Sequence, residues 1–407
     1  MLNPPRIALI GFHTCPFTSL GTGKAGGMNV YIRQMARHLG QLGFQVDIFT
    51  RRHPGNEPQV MELRDGARVI HLDGGPEQPR LPRYYPWLPR FLDELCRFQE
   101  SHGLRYELLH AHYWLSGWVG MVLSRRWGVP LVSTFHTLAE TKRRARPGEE
   151  EPALRSRLER RVIEASQGII AFSRHEKEAI VRFYQAPPQK IAVIPCGVDL
   201  SHFKPLSQAT ARDELGLNGH KVLLFVGRLE PIKGVELLLR TAAIMKDWEK
   251  LRVLIIGGAV EQGREVERLR SLSAMLGIQS LVQFIGTVRH EELPLYYNAA
   301  DVCVIPSFYE SFSFAALEAM ACGVPVVAAR VGGLSTLVQH SRTGYLVAGH
   351  CPEPYVNCLE ALLASQALRR AMGQQARAWA EGLGWEQVSA RVAALSQDLL
   401  TSASKRP

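Results

Sequence analysis

Several patterns are missing from the chain, and each absence removes a class of function. No apolar run is long enough to span a bilayer: Tyr113 to Leu123, among the longest, falls well short of the ~20 residues required. The seven cysteines, at 15, 96, 196, 303, 322, 351 and 358, make no Cys-x-x-Cys pair and no zinc spacing. Such an odd, scattered set reads as reduced thiols in a cytoplasmic protein. Met1-Leu-Asn-Pro-Pro-Arg6 runs straight into Ile7-Ala-Leu-Ile10 without a basic region, so no secretory signal is expected. There is no Gly-x-Ser-x-Gly or Walker sequence, which excludes the commonest hydrolase and NTPase signatures. There is also no Asp-x-Asp pair to chelate a metal–diphosphate, so no metal ligand is assigned. Any diphosphate would then be neutralised by Arg, Lys and helix N-termini; no cofactor is obligatory, and Mg2+ is permitted but not required.

What is present is an ordinary α/β composition, with 46% hydrophobic residues and 35 glycines. A length of 407 residues exceeds one core, and a net charge of +10 suits anionic ligands, an acidic membrane surface or nucleic acid. Arg6 to Phe12 predicts a first strand, and Ile32, Met35, Ala36 and Leu39 mark a helix that begins near Asn29 and stops at Gly40 or Gly43. Phe44 to Thr50 is the next strand, which gives a βαβ opening and hence a parallel sheet. Further strand patterns at Val69, Leu108, Leu131, Gly168 and Ile191 extend it, until Pro195-Cys-Gly-Val-Asp199 breaks the series. A second series follows from Lys221, Arg252, Val282, Asp301, Pro325 and Gly344. The expected division is therefore residues 1–198 and 199–384, with the last helix, 385–407, returning to the first domain and ligands bound in a cleft between the two.

One stretch organises the second series: Pro306-Ser-Phe-Tyr-Glu310-Ser-Phe-Ser-Phe314, then a small-residue helix containing Glu318 and ending at Gly323. N–H groups in a first helical turn have no intrahelical partners, so the backbone from Ser311 through Phe312 and Ser313 to Phe314 can receive a phosphate. Glu310 in the turn, and Glu318 about two helical turns further on and within roughly 80° of the first-turn face, could hold hydroxyls on either side. Arg228 and Lys233, on the loop after the first strand of the same series, could neutralise a leaving diphosphate. Gly26 and Gly27, at the first helix, let backbone N–H groups approach such a group closely. His136 ends a strand in Val132-Ser-Thr-Phe-His136-Thr137. Beyond it Lys142, Arg143, Arg144, Arg146, Arg155, Arg157, Arg160 and Arg161 form a basic belt, with Arg83 upstream, suited either to solvent or to a phosphorylated acceptor.

Two rival readings use other residues. Gly21-Thr-Gly23-Lys-Ala-Gly26 matches a dinucleotide fingerprint, with Asp47 as its ribose acid, and would make the chain an NAD-dependent oxidoreductase. However, His13 to Leu20 separate it from its strand. Arg83-Tyr-Tyr-Pro-Trp87-Leu-Pro-Arg90-Phe91 is a basic-aromatic patch that could lie on anionic lipid, as a membrane-surface lipid glycosyltransferase would require.

Taken together, the motifs resemble glycosyltransferase family 4, the retaining enzymes of the GT-B fold. The resemblance rests on Gly26-Gly27-Met28-Asn29-Val30-Tyr31, His110-Ala-His112-Tyr113-Trp114, Phe135-His136-Thr137-Leu138, Pro195-Cys-Gly-Val-Asp199, Gly227-Arg228 with Lys233, and Glu310 with Glu318. It implies two Rossmann-like doubly wound domains, the first binding the acceptor and the second a UDP-sugar, with no nucleic-acid partner. Arg228 and Lys233 would bind the diphosphate, Glu318 the ribose, a backbone contact near Val288 the uracil, and Glu310 with the amides of Phe312 to Phe314 the donor sugar. His136 would face the transferred sugar.

Within the family the pattern is similar to the branch containing sucrose-phosphate synthase and D-inositol-3-phosphate glycosyltransferase. Its acceptor residues fall on His13, Lys24, Met28, Asn29, Arg83, Tyr113, Thr137, Lys142, Arg155 and Arg157. Lys24 stands where the inositol enzymes carry an acid, and Met28 where sucrose-phosphate synthases carry Gln. The resemblance therefore implies UDP-glucose and fructose 6-phosphate giving sucrose 6-phosphate, with transfer from UDP-N-acetylglucosamine to an inositol phosphate as the alternative.

Overall fold

The computed structural model describes residues 4–13, 15–17, 26–53, 57–63, 65–78, 81–145, 152–245, 248, 250–258 and 263–404, without the side chain of residue 404. It divides into two compact units, one holding the described residues up to Gly197 together with the chain from Trp385, the other running from Val198 to Gly384.

Among the described residues the first unit is built on eight strands: β1 Arg6–Ile10, β2 Gln45–Arg51, β3 Val60–Glu62, β4 Ala67–Leu72, β5 Leu108–His112, β6 Leu131–Thr134, β7 Gly168–Ala171 and β8 Ile191–Val193. Their order is β3-β4-β2-β1-β5-β6-β7-β8, parallel throughout except for the short edge strand β3. Periodicity did not reveal β3, because its three residues are not buried. β5, β6 and β7 are buried at every residue, as a parallel sheet covered on both faces requires. Helix Trp385–Ser404 belongs here because its apolar side chains pack inward: Trp385, Val388 and Val392 are buried, and the Trp385 ring lies 5.7 Å from Tyr31 of helix Gly27–Gln41.

The second unit has, among the described residues, six strands, all parallel: β9 Lys221–Val226, β10 Leu251–Ile256, β11 Val282–Gly286, β12 Val302–Ile305, β13 Val326–Ala329 and β14 Gly344–Val347, in the order β11-β10-β9-β12-β13-β14. Both sheets are doubly wound, so each has a point where successive strands are added on opposite sides. In the first unit this lies between β1 and β5, and in the second between β9 and β12. Ligands of such sheets bind beyond the strand C-termini at these switch points. β9 and β12 pair only at Leu223–Val302 and Leu224–Cys303, so no ladder bonds tie their C-terminal ends.

Candidate active site

In the second unit the switch point carries Lys233 and Glu310. Lys233 closes a short 3-10 turn, Pro231–Lys233, and Gly234 follows in the left-handed region, with φ 71°. A Cβ on Gly234 would lie 2.0 Å from the Pro306 carbonyl oxygen, so only glycine allows the turn to lie on the loop after β12. The Phe308 N–H donates to the Ile232 carbonyl at 2.8 Å and fastens the two loops together. This brings the Lys233 ammonium to Glu310 Oε1 at 2.7 Å, while the Ser307 hydroxyl donates to the same oxygen at 2.9 Å. The far side of the loop rests on Gly332 and Gly333, where added Cβ atoms would meet the carbonyl oxygens of Glu310 and Ser311 at 2.0 and 2.2 Å.

Helix Phe314–Ala321 begins four residues after Glu310, capped by the Ser313 hydroxyl, which accepts from the Ala316 N–H at 3.3 Å. Glu310 therefore lies in the loop before the helix, as the sequence placed it, and Glu318 lies within the helix. Ser311 and Phe312 lead into the first turn, with Phe312 and Val288 both packed against the core of this unit. Glu318 is buried and engaged through both oxygens: His290 Nε2 is 2.9 Å from Oε1, and the Tyr297 hydroxyl donates to Oε2 at 2.9 Å. Neither partner was singled out in the sequence; the available signal was a histidine and a tyrosine two helical turns apart on the helical segment before β12. Arg228 is not joined to this group. Its side chain is 48% exposed and its guanidinium pairs with Glu230 at 2.7 Å.

In the first unit the switch point carries His13 after β1 and Tyr113 after β5, their rings 4.9 Å apart. Tyr113 has φ 75° and His136 φ 61°, conformations that cost a bulky side chain on the order of 1–3 kcal/mol. Strain at two strand ends that sequence had already singled out points to a functional constraint. His136 is the apex of a three-residue turn closed by the Thr137 N–H on the Phe135 carbonyl at 2.7 Å. Its Nε2 lies 3.2 Å from His112 Nδ1, and His110 Nε2 lies 2.9 Å from the Thr134 hydroxyl. Burial pushes His136 down to about 3, helped by His110 and His13, and burial alone pushes His110 down to about 3. These imidazoles are therefore neutral near pH 7 and act as hydrogen-bonding groups, not as cations.

Gly26 and Gly27 start helix Gly27–Gln41, and a Cβ on Gly26 would meet nothing within 4 Å, which leaves its backbone approachable. Met28 is half-buried. The buried Asn29 amide donates to the Cys15 carbonyl at 2.5 Å and accepts from the Gly26 N–H at 3.2 Å, so it shapes the loop from inside. Lys24 lies outside the described residues, as does all of the glycine fingerprint before Gly26.

Three sequence expectations are corrected. Arg155 is no solvated member of the basic belt: it is 2% exposed, with Nε on Glu159 at 2.8 Å and an Nη on the carbonyl and hydroxyl of Thr137 at 2.7 and 3.0 Å. Lys142 is half-buried, and Arg83, Arg143, Arg144 and Arg157 are exposed. Asp47, the ribose acid of the oxidoreductase reading, is buried among Arg6 at 3.2 Å, Arg68 at 2.6 Å and the Tyr106 hydroxyl at 2.5 Å, so its carboxylate already serves a structural network. The basic-aromatic patch turns its rings inward: Tyr84 is fully buried, Tyr85 stacks near Trp114 at 6.5 Å, and Trp87 packs directly over Gly75. Among the described residues, no helix is long and apolar enough to cross a membrane.

Comparison with known proteins gives the family and the fold. The model of the family "Glycosyltransferase Family 4" matches residues 25–202, and that of "Glycosyl transferases group 1" matches residues 207–379. D-inositol 3-phosphate glycosyltransferase 2 of Catenulispora acidiphila is 41% identical over 401 residues, covering 96% of this chain and 94% of that protein. D-inositol 3-phosphate glycosyltransferase of Thermobispora bispora is 40% identical over 409 residues, covering 97% and 95%. Among solved structures, sucrose-phosphate synthase from Thermosynechococcus elongatus superposes with a TM-score of 0.91 at 34% identity, covering 98% of this chain and all of that one. On this coverage the chain belongs to glycosyltransferase family 4, and it is a glycosyltransferase of the GT-B fold.

Proposed function

We propose that the chain transfers a hexosyl group from a UDP-sugar to a phosphorylated acceptor with retention of anomeric configuration, with UDP-glucose and fructose 6-phosphate as the first pair. The observation that carries the reading is the Lys233 ammonium on Glu310 at the β9/β12 switch point, beside the start of helix Phe314–Ala321. A cation, a helix N-terminus and a carboxylate on one loop pair suit a nucleotide diphosphate next to a hydroxyl-rich ring.

As the C1–O bond breaks, negative charge grows on the β-phosphate. Lys233, with Arg228 swinging from Glu230, would stabilise that charge, and the acceptor hydroxyl would attack the same face while losing its proton to the departing phosphate. Glu318, oriented by His290 and Tyr297, would hold the ribose hydroxyls. In the first unit neutral His136 would accept from or donate to a sugar hydroxyl, and His13 and Tyr113 would border the acceptor. With Arg155 paired internally, the acceptor phosphate falls to Lys142, Arg157, Arg83 and Lys24.

A second reading is transfer from UDP-N-acetylglucosamine to an inositol phosphate, and the names of the 41% and 40% identical relatives favour its acceptor. Lys24, a cation in place of that branch's acid, favours the ketohexose. Measuring UDP release with each donor against fructose 6-phosphate, inositol 3-phosphate and their unphosphorylated forms separates the two. Release is expected with one phosphorylated acceptor only, and Lys233→Ala should reduce it by ~100- to 1,000-fold. Equal release with unphosphorylated acceptors would overturn the phosphate reading, and undiminished turnover in Lys233→Ala would overturn the role of Lys233.

A further inference from the structure

We propose that Cys15, Glu57 and His71 form a zinc-class divalent-cation site in the first unit, with water in the fourth position. The three residues come from separate segments: the chain after β1, the approach to β3, and β4 itself. His71 Nδ1 lies 2.9 Å from the Pro58 carbonyl, which can only accept, so Nδ1 carries a hydrogen and, in the neutral imidazole, Nε2 is the nitrogen with the lone pair. Nε2 faces Cys15 Sγ at 3.4 Å and Glu57 Oε2 at 3.4 Å, and all three ligand atoms lie within 4.8 Å of one another. Zinc bonds of about 2.3 Å to sulfur and 2.0–2.2 Å to nitrogen and oxygen, at tetrahedral angles, separate N from S by ~3.5 Å and N from O by ~3.4 Å.

The chemistry of the donor set argues the same way. A neutral imidazole lone pair pointed at a carboxylate oxygen is repulsive unless a proton or a metal cation stands between them, and of the two only the metal cation engages nitrogen, oxygen and sulfur at once. On binding, the Cys15 thiol releases its proton to solvent, and Nε2 and the Glu57 carboxylate coordinate through lone pairs they already have, with no change of oxidation state. The direction of Sγ is preset, because the Cys15 N–H donates to His53 Nε2 at 3.2 Å and its carbonyl accepts from Asn29. Cys15 and His71 are buried, whereas the Glu57 side chain is 45% exposed, which opens one side to the incoming ion and its water. Such a centre would fasten the chain beyond β1 to the β3–β4 edge, next to the Asn29 and His13 positions of the acceptor reading.

The test uses the full-length chain, stripped with a chelator and titrated with cobalt(II). A sulfur-to-cobalt charge-transfer band saturating at one ion per chain, with visible bands of tetrahedral intensity, is expected, and zinc should displace cobalt and raise Tm. Cys15→Ser should abolish the charge-transfer band, and Cys351→Ser, at an exposed cysteine, should leave it intact. Because substitution of a buried residue can disturb folding, Glu57→Gln at the half-exposed position gives an independent reading: zinc affinity should fall on the order of 100-fold with the circular dichroism unchanged. A wild-type chain without the charge-transfer band, a band that follows Cys351 and not Cys15, or wild-type zinc affinity in Glu57→Gln would each overturn the site.

Discussion

A guanidinium read from sequence as a phosphate contact, that of Arg155, is buried in an ion pair with Glu159. The Arg155 and Glu159 side chains are 3% and 0% exposed, and burial pushes the Glu159 carboxyl up, against the opposing effects of Arg155, the Tyr184 hydroxyl and the Ala139 N–H. Arg155→Met would force that carboxylate either to stay charged without its partner or to take up a proton. The expected loss is about 3 kcal/mol, read from the denaturant midpoint, with Arg155→Lys recovering only part because it lacks the planar fork. A wild-type midpoint combined with a raised KM for the phosphorylated acceptor would instead make Arg155 a ligand contact. The sequence did contain the distinguishing signal: Glu159 stands four residues after Arg155, the spacing at which a helical ion pair forms. Glu310 and Lys233 lacked any such signal, since 77 residues separate them and only the folded loops bring them to 2.7 Å.

At the scale of elements, buried strands were legible because a parallel sheet turns them into apolar runs between turn residues; β5, β9 and β12 lie where their patterns predicted, to within a residue. Loop conformation was not, because it depends on what packs behind it. Gly234 and Gly43 show the difference. Both have positive φ, at 71° and 90°, yet a Cβ on Gly43 would meet nothing within 4 Å, while one on Gly234 would strike the Pro306 carbonyl. Gly43→Ala should therefore cost only the conformational penalty, ~1 kcal/mol. Gly234→Ala must in addition part the Lys233 turn from the Glu310 loop, and is expected to lose at least ~2 kcal/mol together with most UDP release. Comparable denaturation midpoints for the two variants would show that the contact between the loops is dispensable. The turn at Glu310 and the helix after it were legible, the start at Phe314 falling two residues beyond the pattern because the Ser313 hydroxyl caps it.

At the scale of the whole molecule, the acid response of stability follows from buried histidines in one unit. His110 and His136 are pushed down to about 3 and His112 well below its usual range, in each case by burial first. An unfolded histidine titrates near 6.5, so between about 3 and 6.5 the unfolded chain binds more protons at these sites than the folded one. Stability must then rise with pH across that window, and it is lost as pH falls below 6.5. His53, lowered by burial and Arg51, acts in the same direction. Glu176, raised by burial to about 7, and Glu159, also raised, act oppositely above the unfolded carboxyl range. Three or four histidines against two glutamates leave a difference of about one to two protons near pH 5.5, or roughly 1.4–2.7 kcal/mol per pH unit. Urea midpoints should therefore drop clearly between pH 7.5 and pH 5.5. His110→Gln, which can still meet the Thr134 hydroxyl, should flatten that dependence by roughly one proton without lowering the midpoint at pH 7.5 by a comparable amount. A midpoint indifferent to pH over this range, or a His110→Gln profile parallel to the wild type, would mean that the cluster is hydrated and titrates normally.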